Sequence, residues 1–366
     1  MNCNYFGKCG SCTLYNYTYE EQLDKKVSLI KDDFDLSDID IIKSEPQNFR
    51  YRAEFRVFHD DSGISYAMNS FEKRALKIDE CHIVSPLISS LMPKLLELVK
   101  DNHTLKHKLF AVEFLTSTTN EAIITLIYHK KLDESWKEEA KKTLSSLKAN
   151  IIGRSRGVKI VVDKDYIHEK LTIFNKTYKY KLLDTGFTQP NPKVNQKMIE
   201  WVIKNIKPLP NSNLLELYCG LGNFTLPLSK EFDKVLATEV SKASIKSANE
   251  NVMLNKIDNI KFVRLSAQEL VEAMDKKREF NRLKDINLDD YNFTHIFVDP
   301  PRAGVDEKSC EFLKRFENII YISCNPETLK RDLERLKEYE IVRFATFDQF
   351  AYTQHLECGV ILRRVS

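Results

Sequence analysis

Cys324 stands where a β-rich run, Asn318 to Ser323, breaks at Asn325 and Pro326. A thiol at the end of a strand sits on the rim of a sheet, within reach of a substrate. Most cysteines are buried and inert, so position alone does not make this one reactive. What decides is whether other elements bring a cofactor and a base to the same rim. Three acids are candidates. Glu239 ends the apolar run Lys234 to Thr238, and Asp299 follows Thr294 to Val298 and opens Asp299-Pro300-Pro301-Arg302. Glu357 lies in an otherwise apolar strand, Leu356 to Leu362, where a carboxylate is either a costly accident or a working group. A second group of thiols is Cys3, Cys9 and Cys12, spaced C-x5-C-x2-C, with Cys81 as the nearest fourth. Four soft sulfur ligands suit a 4Fe–4S cluster or a structural zinc, and reduced thiols on a mobile terminus are the plainer alternative.

The elements that must position these groups alternate from Gly186 onward as strands and helices, the pattern of a doubly wound α/β domain. Leu214 to Phe224 is an apolar strand running into a G-x-G loop at Gly220 and Gly222, then a helix. Glu239, about twenty positions on, is placed to receive the two hydroxyls of a cofactor ribose. NAD and S-adenosylmethionine both fit this much. Glu216 inside the first strand and the lack of a third loop glycine favour S-adenosylmethionine, which has no phosphate to cradle. The prolines after Asp299 stiffen backbone beside a flat ring, and the carboxylate can bond a base edge. An amino-group methylase would carry an aromatic residue where Arg302 stands. Gly220, Glu239, Asp299 and Cys324 all fall at carboxyl ends of strands, where open α/β sheets bind ligands.

At 366 residues the chain has room for two domains, expected at 1–185 (α+β) and 186–366. A formal net charge of +3 excludes a bulk basic nucleic-acid binder but not a local basic face. The start, MNCNYFGKCG, lacks the apolar core of a secretory signal, and no apolar run is long enough for a membrane span. A cytoplasmic protein is therefore expected. In the first domain a helix is predicted from Tyr17 to Phe34. Arg50, Arg52 and Arg56, interleaved with Phe49, Tyr51 and Phe55, read as an RNA-binding strand or as an ordinary amphipathic one.

Five segments, FTQPN (187–191), LLELYCGLGNF (214–224), FVDPPRAG (297–304), YISCNPETL (321–329) and FDQFAYTQHLECGV (347–360), resemble the bacterial tRNA (uracil-5-)-methyltransferases, which form ribothymidine in the T loop. The resemblance covers nearly the whole chain. It implies a Rossmann-like class I methyltransferase domain behind an N-terminal α+β RNA-binding domain, S-adenosylmethionine as cofactor, and a monomer acting on tRNA, with tmRNA as a further substrate. It makes Cys324 the nucleophile on C6 of uracil and Glu357 the base. Gln189, Tyr218, Gly220, Asn223, Glu239 and Asp299 are then expected to line the cofactor and base pocket. The similar 23S rRNA enzymes hold a 4Fe–4S cluster on cysteines that Cys3, Cys9, Cys12 and Cys81 match, which keeps rRNA as the alternative substrate. An iron–sulfur oxidoreductase using a dinucleotide is the alternative from another class, but it leaves Cys324 and Glu357 without a role.

Overall fold

The computed structural model describes residues 2–365. Helix α1 (Tyr19–Phe34) starts at Thr18, whose hydroxyl accepts from the Glu21 amide while Glu21 reaches back to the Thr18 amide, closing a capping box. Its face of Leu23, Val27 and Ile30 is buried. Strand β1 (Asp40–Ile42) follows. Then come β2 (Arg52–Asp60), β3 (Gly63–Asn69), β4 (Ala75–Ile78), α2 (Pro86–Val99), α3 (His103–Lys106), β5 (Leu109–Thr116), β6 (Ala122–Tyr128), α4 (Glu134–Leu144), β7 (Asn150–Ser155) and β8 (Val158–Val161). These strands form a seven-stranded sheet in the order β4-β3-β2-β5-β6-β7-β8. Its core joins Phe55, Phe114 and Tyr128 to Leu95 and Trp136 of the helices. Position 153 must be glycine, since a Cβ there would lie 2.5 Å from the Trp136 ring. Strands β9 (Tyr166–Ile173) and β10 (Lys176–Leu183) make a separate antiparallel ribbon.

The second half runs α5 (Pro192–Asn205), β11 (Asn213–Leu217), α6 (Thr225–Leu228), β12 (Lys234–Thr238), α7 (Lys242–Asn255), β13 (Ile260–Val263), α8 (Ala267–Met274) and β14 (Phe293–Val298). It ends with α9 (Glu307–Leu313), β15 (Asn318–Ser323), α10 (Pro326–Arg335), β16 (Tyr339–Phe347) and β17 (Glu357–Arg364). The sheet has eight strands, β1-β16-β17-β15-β14-β11-β12-β13. Strands β11 to β15 are parallel, and β17 runs antiparallel between β15 and β16. This is the α/β architecture expected for the second half, reached with one addition. Strand β1 pairs parallel with β16, Asp40 opposite Ala345, so the chain's beginning completes the edge of the second sheet. Helix α1 packs into the same core as Val298 and Tyr321. The β9–β10 ribbon likewise packs with Val194 and Leu214. The expected division at 185 therefore runs through shared cores, because a three-residue strand and a sparse apolar helix face carry no sign of which sheet they will join. Among the described residues no helix is long and apolar enough to cross a membrane.

One buried acid ties the strand ends together. Asp332 of α10, fully buried, accepts from the Tyr321 hydroxyl of β15 at 2.7 Å and from the Val305 amide at 2.9 Å. Arg331 beside it donates to the Ala303 carbonyl at 2.9 Å. The Asp299–Gly304 turn is thus held against β15. Asp332→Ala should cost about 3 kcal/mol, since each of two buried donors loses roughly 1–3 kcal/mol with its acceptor; urea unfolding measures it, and Asp332→Asn should recover part of the loss.

Candidate active site

The cofactor side is built at the end of β11. Tyr218 and Gly220 both adopt positive φ, 60° and 56°, which swings the chain out of the sheet into the loop. Gly222 at φ 88° admits no side chain, since a Cβ would lie 2.5 Å from Leu226. Glu239, one residue past β12, accepts from the Gly220 amide at 3.2 Å and from the Ser241 amide at 2.8 Å. Its carboxylate is therefore fixed against the loop at the edge of the hollow. Asn223 trades side-chain bonds with Asn195 of α5, at 2.8 and 2.9 Å. Asn191 caps α5, and its amide nitrogen donates to Gln349. The Gln189 side-chain oxygen is buried and without a partner.

The chemical side lies across the same hollow. Cys324 directly follows β15 and precedes the N-cap Asn325 of α10. Ser323 donates its hydroxyl to the Asn325 carbonyl and accepts the Asn325 amide, a tight turn that presents the thiol at the helix N-terminus. The Asn325 side chain donates to the Arg302 carbonyl at 3.1 Å, binding the thiol's turn to the Asp-Pro-Pro-Arg turn. Glu357 opens β17, opposite Phe347, and is only 3% exposed. A cavity of about 800 Å³ is lined by Gln189, Tyr218, Gly220, Glu239, Asp299, Cys324 and Glu357. Every expected catalytic and cofactor residue except Asn223 thus borders one hollow. Asn223 borders a smaller one that shares Gln189, Tyr218, Gly220 and Asp299. Phe187, Arg302, Phe350 and His355 also line the main cavity, and Asn195 and Glu216 the smaller. Sequence reading passed these over as site residues. Glu216 alone carried a signal, as an acid within an apolar strand.

The other expected residues lie elsewhere. Phe49 is 2% exposed and belongs to the first sheet's core, so it has no face to offer a base. Arg50 is turned inward; its guanidinium donates to the Arg52 carbonyl and lies over the Phe350 ring at 5.9 Å. Arg52 pairs with Glu113 at 2.6 Å and donates to the Asp184 and Gly186 carbonyls, bracing the segment that leads to Gln189. Of the four residues expected to bind RNA, only Arg56 is exposed, with a single long bond to Asn69 at 3.4 Å. The alternating second half of the run forms strand β2 from Arg52, and Phe49 and Arg50 before it pack inward. Cys3, Cys9, Cys12 and Cys81 do border one cavity of about 250 Å³. Yet among the described residues no three His, Cys, Asp or Glu side chains are arranged to hold a metal ion. Burial pushes the Cys12 thiol up to about 12 and that of Cys81 to about 11, so both are protonated in this arrangement. The expected 4Fe–4S cluster thus finds its four sulfurs in one place but not in a ligating geometry.

Electrostatics in the two adjoining cavities is dominated by acids. Burial pushes Glu357 up to about 8, with the charge of Asp299 adding to it. Burial takes Glu216 to about 8 and Asp299 to about 7. One Glu216 oxygen is buried without a partner. The Cys324 thiol is also raised, first by burial and then by Glu357 and Asp299, while Arg302 opposes them. Between about pH 5 and 8 the folded protein therefore keeps protons that the unfolded chain releases, so stability falls as pH rises through that window. Ligand-free Glu216→Gln should lose several degrees less than the parent in thermal midpoint between pH 5 and 8, with calorimetry as the readout.

The matches to known proteins run through both sheets. The family model for tRNA (uracil-5-)-methyltransferase matches residues 18–365. A tRNA/tmRNA (uracil-C(5))-methyltransferase of Aliarcobacter butzleri is 55% identical over 100% of both chains, and one of Nitratiruptor sp. is 50% identical over 100% of both. The structure of the Pyrococcus abyssi tRNA (uracil-54, C5)-methyltransferase in complex with S-adenosyl-L-homocysteine superposes with a TM-score of 0.75 at 20% identity, covering 97% of this chain and 86% of that one. That likeness is one of fold. With relatives at half identity along its entire length, this chain belongs to the tRNA (uracil-5-)-methyltransferase family.

Proposed function

We propose that the protein methylates C5 of a uridine in the T loop of tRNA, uracil-54, and the corresponding uridine of tmRNA, through a covalent bond between Cys324 and C6 of the base. The names of the relatives and of the Pyrococcus abyssi enzyme support the substrate. One observation carries the mechanism: Cys324 and Glu357 border the same cavity as the Glu239-anchored glycine loop. S-adenosylmethionine, when bound, supplies an electrophilic methyl group on a cationic sulfonium. The residues fit such a ligand. Glu239 offers a fixed carboxylate for ribose hydroxyls, and the unpartnered Gln189 and Glu216 oxygens are free acceptors. The three acids around the cavity favour a positive guest.

C5 of uracil is a weak nucleophile. The Cys324 thiolate, its proton lost to solvent, adds to C6, and the electron pair of the C5–C6 bond becomes an enolate with charge at C5. C5 would take a methyl group as the carbon–sulfur bond of the sulfonium breaks, the bonding pair staying on the departing neutral thioether. Glu357 then removes the C5 proton, the pair reforms the double bond, and Cys324 leaves as thiolate. Asp299, beside the rigid prolines, bonds the uracil edge. Burial suits Glu357 to its task, because a carboxylate with a raised pKa is a stronger base once ionised. A T-loop uridine is stacked within the folded RNA, so it must be flipped out to reach the cavity. In this reading residues 1–185 hold RNA and 186–366 carry the chemistry, with α1 and β1 contributing to the catalytic sheet.

Cys324→Ala should bind tRNA yet lose about 10⁴-fold or more in methylation and form no adduct. Methylation that survives in this variant would remove the thiol from the mechanism. Glu357→Gln should slow release by about 10²–10⁴-fold and accumulate an RNA–protein complex resistant to denaturing electrophoresis. Normal turnover would place the base elsewhere. In the parent, release of the adduct should speed up as pH rises toward about 8, because Glu357 must be ionised; the limb should be missing in Glu357→Gln. Methylation of tRNA and 23S rRNA transcripts with mapping of the modified base tests the substrate directly.

A further inference from the structure

The segment between β16 and β17, Asp348 to Leu356, forms one wall of the catalytic cavity. Phe350 and His355 line it beside Cys324 and Glu357, with their rings edge to face at 6.0 Å. The first residues of the strap are tied to the sheet by the Asp348 amide on the Ile42 carbonyl and to α5 by Gln349, which accepts from the Asn191 amide. Helix α1 holds both its ends and its middle. Lys26, 4% exposed, pairs with Asp348, 0% exposed, at 2.6 Å, and also donates to the His355 carbonyl at 3.4 Å. Both ends of the strap therefore meet one ammonium. At its middle Tyr352 adopts φ 63°, a left-handed conformation that side chains rarely take. Its amide donates to the Gln22 side-chain oxygen at 2.6 Å, and its carbonyl accepts from the Leu14 amide at 3.0 Å. The strained residue is thus bonded on both sides to the N-terminal segment.

We propose that Lys26 and Gln22 are positioning residues for methyl transfer: through Asp348, Tyr352 and His355 they set the strap so that Phe350 and His355 close the pocket around the base attacked by Cys324. Neither touches the reacting atoms. A buried ion pair is a poor way to gain stability alone, since its desolvation offsets its attraction. What it supplies is direction, one fixed point at each end of a strap that must not shift against Cys324. The proposal rests on the covalent mechanism above. It predicts a defect in the step that needs the base in place rather than in cofactor binding, because Glu239 is fixed by the Gly220 and Ser241 amides and not by the strap.

The double variant Lys26→Met/Asp348→Asn removes both charges together and avoids leaving one buried alone. It should bind S-adenosylhomocysteine with an unchanged dissociation constant while forming the RNA adduct about tenfold more slowly at saturating RNA, the scale expected of a slightly misplaced wall. An adduct rate equal to the parent's in the folded double variant overturns the proposal, as does a matching tenfold loss of cofactor affinity. If the double variant does not fold, Gln22→Met decides, since it removes only the acceptor for Tyr352: a rate about threefold or more below the parent's supports the role, and a parental rate refutes it. If the parent itself forms no adduct, the covalent reading fails. The strap is then judged by hydrogen exchange, where amides 349–355 should exchange about tenfold faster in Gln22→Met than in the parent; equal protection rejects the role.

Discussion

Three carboxyl groups, those of Glu216, Asp299 and Glu357, are crowded around two adjoining cavities that share Gln189, Tyr218, Gly220 and Asp299. They cannot all be ionised without a compensating charge. This constraint shapes the rest of the site. Burial raises each acid and the Cys324 thiol, and the charge of Asp299 adds to the effect on Glu216, Glu357 and Cys324. The cavity is therefore poised for a cation, and entry of one changes the state of every group at once. A sulfonium donor would draw these acids back toward ionisation and ease the thiol toward thiolate, with Arg302 acting in the same sense on Cys324.

Bringing those acids together is a matter of sheet topology. Parallel strands β11, β12, β14 and β15 end at the same edge, so the residues that follow them meet although more than a hundred positions separate Gly220 from Cys324. Glu357 comes from the opposite direction. Strand β17 is antiparallel to β15, and its first residue therefore lies beside the last residues of β15. One strand reversal places a carboxyl group next to the thiol without a further loop. Helix α10 then fixes the two turns to each other, through the Asn325 bond to Arg302 and the Asp332 bonds to Tyr321 and Val305.

The strand ends that border the cavity were legible because they follow local rules. An apolar run that ends in Gly220, Glu239, Asp299 or Cys324 announces a strand end, and strand ends are where such sheets bind ligands. Glu357 was visible as an acid with no local reason to be in an apolar strand. What failed were readings that needed a partner from far along the chain. Phe49, Arg50 and Arg52 alternate as an RNA-binding strand would, but period does not say which face a neighbouring sheet or an acid such as Glu113 will claim. The C-x5-C-x2-C spacing brings its thiols to one cavity with Cys81 but does not fix their orientation. Lys26 and Gln22 look like solvated positions of a charged helix, and only Asp348, more than three hundred residues away, reveals them as buried.

That long-range pairing explains why the N-terminal segment is not a simple appendage of the first sheet. Helix α1 and β1 complete the edge of the catalytic sheet before the chain leaves to build the seven-stranded one, and the chain returns through the β9–β10 ribbon. An apolar contact could have docked α1 equally well in energy, because a buried pair gains little over packed side chains. It could not have set the strap to the same accuracy. Apolar surfaces tolerate sliding, whereas the bonds from Lys26 and Gln22 are directional and end on particular atoms of Asp348, Tyr352 and His355. Arg50, two residues before β2, also lies over the Phe350 ring, so the wall beside Cys324 is fixed from the start of the first sheet as well as from α1.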